Sequence, residues 1–332
     1  MPAKLTAPGP GVAGGLLKAG EWQVGVSFRS LHSFRDFQGS EAIPVPSPPA
    51  LYASTHLNTV DIGVTYAVTN RFSISAGVPL QIGTRETSYE HDGVSLHTMR
   101  AAGVGDVRVT GSVWLLDPVR HPHANASVGL GVKTPSGDSD ASDYSFRPSG
   151  QVLRPVDPAI QLGDGGWGAL VTGQAFARIG ARAAVFGQAA YLVSPREMNR
   201  TQSPYGDEPD LTGGDIGYIV DSVPDQYLLR FGAQRTIAGA RGLAASLALR
   251  LDGVPARDLV GGSDGYRLPG YSLALEPGLT IAQGRGVFAL AVPIAIVRHA
   301  SFSVADLRTG NPIGGIAALA DAVLNVSYSR RF

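Results

Sequence analysis

The sequence predicts a single all-β fold, a closed antiparallel transmembrane β-barrel of about twelve strands. Three observations carry that expectation. Apolar and polar side chains alternate with a two-residue period along nearly the whole chain. The connections between these runs alternate in length, short then long, as the two ends of an outer-membrane barrel require. The last run, Leu324 to Phe332, sets Leu324, Val326, Tyr328 and Phe332 against Asn325, Ser327, Ser329 and Arg331 and finishes on an aromatic ring. An open sheet would leave that strand a bare edge, whereas a barrel pairs it with the first.

The runs follow in order. Trp22, Val24, Val26 and Phe28 alternate with Gln23, Gly25, Ser27 and Arg29. Val60, Ile62, Val64 and Tyr66 alternate with Thr59, Asp61, Gly63 and Thr65, and after a turn at Asn70 the series Phe72 to Ile82 opposes Ser73, Ser75, Gly77 and Gln81. Val107, Val109, Val113 and Leu115 stand against Asp106, Arg108, Thr110 and Ser112; Ala126 to Val132 stand against Asn125, Ser127, Gly129 and Lys133. Two Ala-rich strands, 167–178 and 182–193, leave their facing undecided. Later, Tyr227, Leu229 and Phe231 oppose Gln226, Arg230 and Gln234; Leu243 to Leu251 oppose Ser246, Arg250 and Asp252; Leu273, Leu275, Leu279 and Ile281 oppose Ser272, Glu276 and Thr280. Phe288 to Ile296 form one more apolar face.

Short connections are expected near Asn70, Pro118, Gly180, Gly239 and Gly284. Long loops are expected at Arg35–Ala53, Gly83–Ala102, Gly137–Gly165, Ser194–Val220, Gly253–Gly270 and His299–Ala318, with both termini in the periplasm. In the assigned strands the apolar face holds no charged residue, because a lipid-facing Lys or Arg at mid-bilayer costs about 2–4 kcal/mol. Arg330 shares that face, but at the rim its long side chain reaches headgroups or water. Trp22, Tyr66, Phe72, Tyr227, Tyr271 and Tyr328 fall near strand ends, as an aromatic girdle would.

The 332 residues suit one large barrel at 21–332, preceded by a Pro/Gly/Ala-rich segment at 1–20 that is expected in the periplasm or folded into the lumen. That segment lacks the basic start and apolar stretch of an export signal and is expected to be a processed start. Lys+Arg and Asp+Glu are both 27, so nothing points to nucleic acid. No apolar run reaches the roughly 18 residues of a membrane helix. Cysteine is absent, which removes disulfides and thiolate chemistry and fits passage through an oxidising periplasm.

Two short motifs resemble a known family. Gly103-Val104-Gly105-Asp106-Val107-Arg108 is similar to its Gly-x-Gly-Asp-x-Arg strand, and Lys133-Thr134-Pro135-Ser136-Gly137-Asp138 to its Lys-x-Pro-Thr-Gly-Asp strand end, with Ser136 for the usual Thr. With Thr69-Asn70-Arg71-Phe72, Val223-Pro224-Asp225 and the final aromatic, the stretch from Gly20 to Phe332 resembles the outer-membrane proteins of the "MetA-pathway of phenol degradation" family. Ala300-Ser301-Phe302 departs from that pattern. The resemblance implies movement of aromatic or other apolar small molecules across the outer membrane. The closing residues also resemble the terminal signal read by the bacterial barrel-assembly machinery. Expected partners are therefore that machinery, outer-membrane lipid and lipopolysaccharide, and a small-molecule solute.

The pore-lining set is Arg29, Asp61, Asp106, Arg108, Lys133, Arg230, Gln234, Arg250, Asp252, Glu276, Asn325 and Arg331. It either lines a narrow wet passage or fills a sealed barrel with ion pairs; twelve strands lie between the size that side chains fill and the size that leaves an open channel. Its mixed signs argue against strong ion selectivity. Asp138, Asp140 and Asp143, and separately Asp207, Glu208 and Asp210, lack the glycine and distal glutamate of a calcium loop. His121 and His123 flank a proline in a turn, and the other histidines fall in loops or at strand ends. Asp225 and His299 would have to be forced together to make a hydrolase. The expectation is a passive conduit with no catalytic residues, cofactor or metal. The alternatives are a non-conducting barrel whose loops bind a partner and, more distantly, a membrane-embedded hydrolase.

Overall fold

The computed structural model describes residues 16–44, 52–206, 213–240, 242–311 and 314–332. Among them, twelve antiparallel strands close into one barrel. They are β1 (Trp22–Ser33), β2 (Ala53–Ala67), β3 (Phe72–Thr87), β4 (His97–Val104, resumed at Arg108–Trp114), β5 (Ala124–Lys133) and β6 (Gly168–Ile179). The second half is β7 (Ala183–Val193), β8 (Gln226–Thr236), β9 (Leu243–Val254), β10 (Gly270–Gln283), β11 (Gly286–Ala291, resumed at Ile294–Ala300) and β12 (Val323–Arg331). Each strand pairs with the next, and β12 closes the ring on β1 from Gln23↔Arg331 to Leu31↔Val323. No strand edge is left for hydrocarbon, in which unpaired N–H and C=O groups cost several kcal/mol each.

The alternation lands as the sequence implies. Val26, Ile62, Leu130, Leu249 and Phe288 point outward and are exposed, while Arg29, Thr59, Lys133, Arg230, Arg250 and Glu276 on the opposite parity are buried. The two Ala-rich strands are now settled. Ala169, Val171, Gly173 and Ala175 face out on β6; Leu170 and Phe176 face in, as do Phe186 and Leu192 on β7. Alanine and glycine outside with leucine and phenylalanine inside is the reverse of a usual membrane strand, so hydropathy alone could not orient them.

The predicted loop Gly83–Ala102 is shorter than expected. Thr87↔His97 to Leu80↔Val104 are paired, so β3 and β4 stand well beyond the apolar belt. Their inward residues Gly83, Arg85 and Thr87 are covered by neighbouring loops, which makes this polar sequence strand rather than loop. The interruption of β4 falls at Gly105, where an added Cβ would sit 2.3 Å from Gln81 Nε2. Only a glycine leaves room for that approach. β11 breaks at Pro293, which has no N–H to give; its carbonyl accepts from Val323 N.

One helix of six residues, Val304–Thr309, lies in the last long loop, with Ser303 and Asp306 forming a capping box and Gly310 ending it in the left-handed conformation. Strands Asp36–Gln38 and Ile316–Ala318 pair, tying the first long loop to the last above the β1–β12 seam.

Register makes a firm forecast. Leu130→Arg on the outward face of β5 should cost about 2–4 kcal/mol in urea titrations of folding into vesicles. Ser127→Arg, on the inward face, should cost less; equal costs would mean that the two faces are not distinguished by lipid.

Candidate functional site

The inward side chains make a layered interior. Its middle is a charged belt. Arg230 on β8 pairs with Glu276 on β10, donates to Gln188 Oε1 at 3.1 Å, and lies beside Arg250 in the β8–β9 register. Arg250 binds Asp252 at 2.7 Å and reaches Glu276 at 3.7 Å. Across the lumen, Arg29 on β1 is within electrostatic reach of Asp61, Arg108, Arg250 and Asp252. Seven strands, β1, β2, β4, β7, β8, β9 and β10, therefore contribute to one network. Buried Thr59 Oγ1, Asp61 Oδ2, Ser246 Oγ and Asn325 Nδ2 have no hydrogen-bond partner among the described residues, so this layer leaves polar groups for water to satisfy.

Above the belt the two sequence motifs dock on one another. Lys133 Nζ binds Asp106 Oδ2 at 3.1 Å, Asp164 and the Gly166 carbonyl at 2.7 Å. Asp106 Oδ1 accepts from Gly137 N at 2.9 Å, and Ser136 Oγ bridges Val107 N and the Gly105 carbonyl. The glycines are needed because Gly137 and Gly163 touch backbone to backbone, where a Cβ would lie within 3 Å of main-chain atoms. This clasp anchors the segment 156–164 of the long β5–β6 loop inside the barrel. Val156, Ile160 and Leu162 pack on inward Met99 and Ala101, and Gln81 Nε2 donates to the Leu162 carbonyl at 2.8 Å. The cavity left beneath, lined by Gln81, Asp106, Lys133, Asp221 and Gln226, is about 30 Å³. That is room for water but not for an organic solute.

Apolar ledges flank the belt. Leu170, Leu192 and Leu228 form one toward the extracellular side. Phe176, Phe186 and Ala248 form another toward the periplasm, joined by Trp114, whose ring meets Phe176 edge-on at 6.0 Å. Leu16 packs on this lower ledge; residues 1–15 of the segment expected at 1–20 lie outside the described residues. Gly20 N donates to the Ala67 carbonyl.

The expected lining residues divide accordingly. Arg29, Asp61, Arg108, Arg230, Arg250, Asp252 and Glu276 form the belt, and Asp106 and Lys133 form the clasp. Gln234, Asn325 and Arg331 also take the inward parity, but Gln234 sits opposite Ala184 and Ser246, Asn325 opposite Arg29, and Arg331 at the rim opposite Gln23. Sequence parity missed both ledges, since the two Ala-rich strands that carry Leu170, Phe176, Phe186 and Leu192 leave their facing undecided. It also missed Arg85, which lay in a predicted loop. Arg85 is buried and holds Thr55 on β2 at 2.8 Å, Glu90 in the β3–β4 loop at 2.7 Å and Asp157 in the β5–β6 loop at 3.5 Å, tying two loops over the mouth.

The remaining candidates have ordinary partners. Asp138 Oδ1 caps Asp140 N, and Asp143 accepts from Arg100 N and Tyr144 N. Asp207, Glu208 and Asp210 lie outside the described residues. Asp225 accepts from Ser194 N, Tyr191 Oη and Leu259 N, while His299 bonds Ser40 Oγ and stacks on Tyr271, so the two serve separate contacts. His32 and His56 stack at 3.8 Å on the outer wall.

No family model matches the chain, and no curated protein matches it in sequence. Among solved structures, an outer-membrane channel from Pseudomonas putida F1 is similar, with a TM-score of 0.57 at 12% identity over 95% of this chain and 97% of that one. The toluene transporter TbuX of Ralstonia pickettii scores 0.45 at 9% identity over 95% and 91%. TodX, the Pseudomonas putida toluene transporter, scores 0.44 at 8% identity over 97% and 91%. The first likeness shows the same barrel fold. With the closed wall and its apolar outer belt, it places the chain in the bacterial outer membrane.

His91 gives this mouth a pH dependence. It is 2% exposed and its Nδ1 accepts from Phe146 N at 3.0 Å, which requires an unprotonated nitrogen. Burial, then His97 and Arg147, hold its pKa down at about 4 against the opposing pull of Asp92 and Asp143. The unfolded loop protonates near 6.5, so stability is full above that pH and falls as pH drops toward 4, by on the order of 2–3 kcal/mol. The protection factor of the Phe146 amide, its exchange relative to the intrinsic rate at each pH, should fall as pH drops over that window in wild type and not in His91→Asn.

Proposed function

We propose that this barrel is a passive conduit for small apolar or amphipathic molecules, aromatic ones included. What supports it is the pair of apolar ledges inside the lumen, Leu170/Leu192/Leu228 above and Phe176/Phe186/Trp114 below, with a charged belt between them. A barrel filled only for stability would have no need to place large apolar groups on both sides of a polar layer. The motifs that resemble the phenol-degradation family clasp the inserted loop, and the fold is that of an outer-membrane channel. A solute would meet the upper ledge, cross the belt beside Gln188 and Arg230, and leave along the aromatic ledge. Passage requires the segment 156–164 to move, because the cavity beneath it, about 30 Å³, is too small for an organic solute. Leu16 narrows the lower end, and the driving force is the solute's own gradient.

A non-conducting barrel with partner-binding loops is favoured by one observation: the small cavity beneath the clasped loop. Uptake of a small aromatic dye into vesicles carrying the purified chain, with planar-bilayer conductance in parallel, decides between them. Wild type should pass the dye faster than ions. Gly83→Val should raise both several-fold, because even a Cβ at 83 would lie 2.6 Å from that of Ile160 and must displace the inserted segment. Leu192→Asp should slow the dye and spare the ions. No flux above background in wild type or Gly83→Val would leave the non-conducting barrel.

A further inference from the structure

The net charge of zero conceals a separation along the barrel axis. Every periplasmic hairpin carries an arginine: Arg71, Arg120, Arg182 and Arg285 in their turns and Arg235 at the end of β8, with Arg330 on the closing strand. All six are exposed. Glu21 and Asp117 are the only acidic side chains at this end among the described residues, whereas the long loops at the other end hold most of the chain's 27 carboxylates. Only Arg120 has a carboxylate in reach, Asp117 at 3.9 Å; the other five have none among the described residues.

The placement is annular. The arginines are spread over the whole perimeter, one per hairpin, rather than gathered on one side. The rim also carries the aromatic residues of a membrane boundary. Trp22 packs on Tyr66 at 4.4 Å between ring centroids, and Tyr328 and Phe332 are about half exposed. Arg330 lies over the Phe332 ring at 5.5 Å, which holds a guanidinium at the level where headgroups begin. A protein partner docks on one sector, whereas the lipid leaflet is the one partner that meets every hairpin at once. Guanidinium forks match phosphate oxygens bidentately, and basic residues beside a bilayer favour anionic lipid.

We infer that the periplasmic rim is a binding ring for the phosphodiester headgroups of anionic phospholipids in the inner leaflet. The ring selects lipid by charge and fixes the depth of the barrel independently of what crosses the lumen. The opposite end also carries exposed arginines, Arg100, Arg200 and Arg257 among them, but carboxylates outnumber the basic side chains there, so the charge separation also favours one orientation.

The test uses the full chain in mixed phosphatidylcholine and phosphatidylglycerol vesicles, with co-purifying lipid counted by native mass spectrometry. Wild type should retain phosphatidylglycerol in preference to phosphatidylcholine. Retention should drop about tenfold or more in the Arg182→Gln/Arg235→Gln/Arg285→Gln/Arg330→Gln variant and return largely with lysine at the same positions. Heat-shifted gel mobility verifies that each variant is a folded barrel. Equal retention of both lipids, or retention unchanged by the glutamines, would overturn the proposal. So would loss of an acidic periplasmic protein, instead of lipid, from the glutamine variant.

Discussion

Everything in this molecule depends on satisfying the strand backbone without water. In hydrocarbon an unpaired amide has no alternative partner, so the sheet must close, and here it closes where β12 meets β1. Closure then fixes which parity faces lipid, because sliding any strand by one residue would carry Arg108, Arg230 or Arg250 outward. The interior inherits whatever remains. That is why so many ionic groups are concentrated in a lumen that must satisfy them with each other or with water.

The interior is organised less like a pipe than like a packed core with polar strata. The clasp between Lys133, Asp106 and Asp164 holds a loop inside the barrel, and Arg85 ties that loop to the β3–β4 loop. Burying these charges costs desolvation, which good geometry and additional hydrogen bonds offset; breaking one partner leaves the others stranded. The mouth therefore behaves as a unit whose opening is a rearrangement, whereas the belt below it keeps unpaired polar atoms that water must meet.

Much of this was legible in the residues. Strand count, the alternation of turn and loop lengths, and the facing of β1, β2, β5, β8, β9 and β10 follow from period-two patterning, because lipid penalises any other arrangement. The pairing of Asp106 with Lys133 was hinted at by two motifs but not stated by them, since partners 27 residues apart are joined only by the fold. The apolar ledges were hidden because Phe176 and Leu192 are flanked by alanines that give neither face a hydropathic advantage. Arg85 was hidden because the strands extend beyond the membrane, where the polar sequence resembles a loop. The arginine ring was visible residue by residue but became a pattern only when the turns were set on one rim.

The central claim is that the outward parity of every strand touches hydrocarbon. The chain lacks cysteine, so single spin-labelled cysteines can be placed at will. Labels at Val24, Val26 and Phe28 of β1 should be relaxed by oxygen, which concentrates in lipid, and labels at Gln23 and Ser27 should not. Uniform oxygen accessibility along β1, or the opposite alternation, would contradict the account.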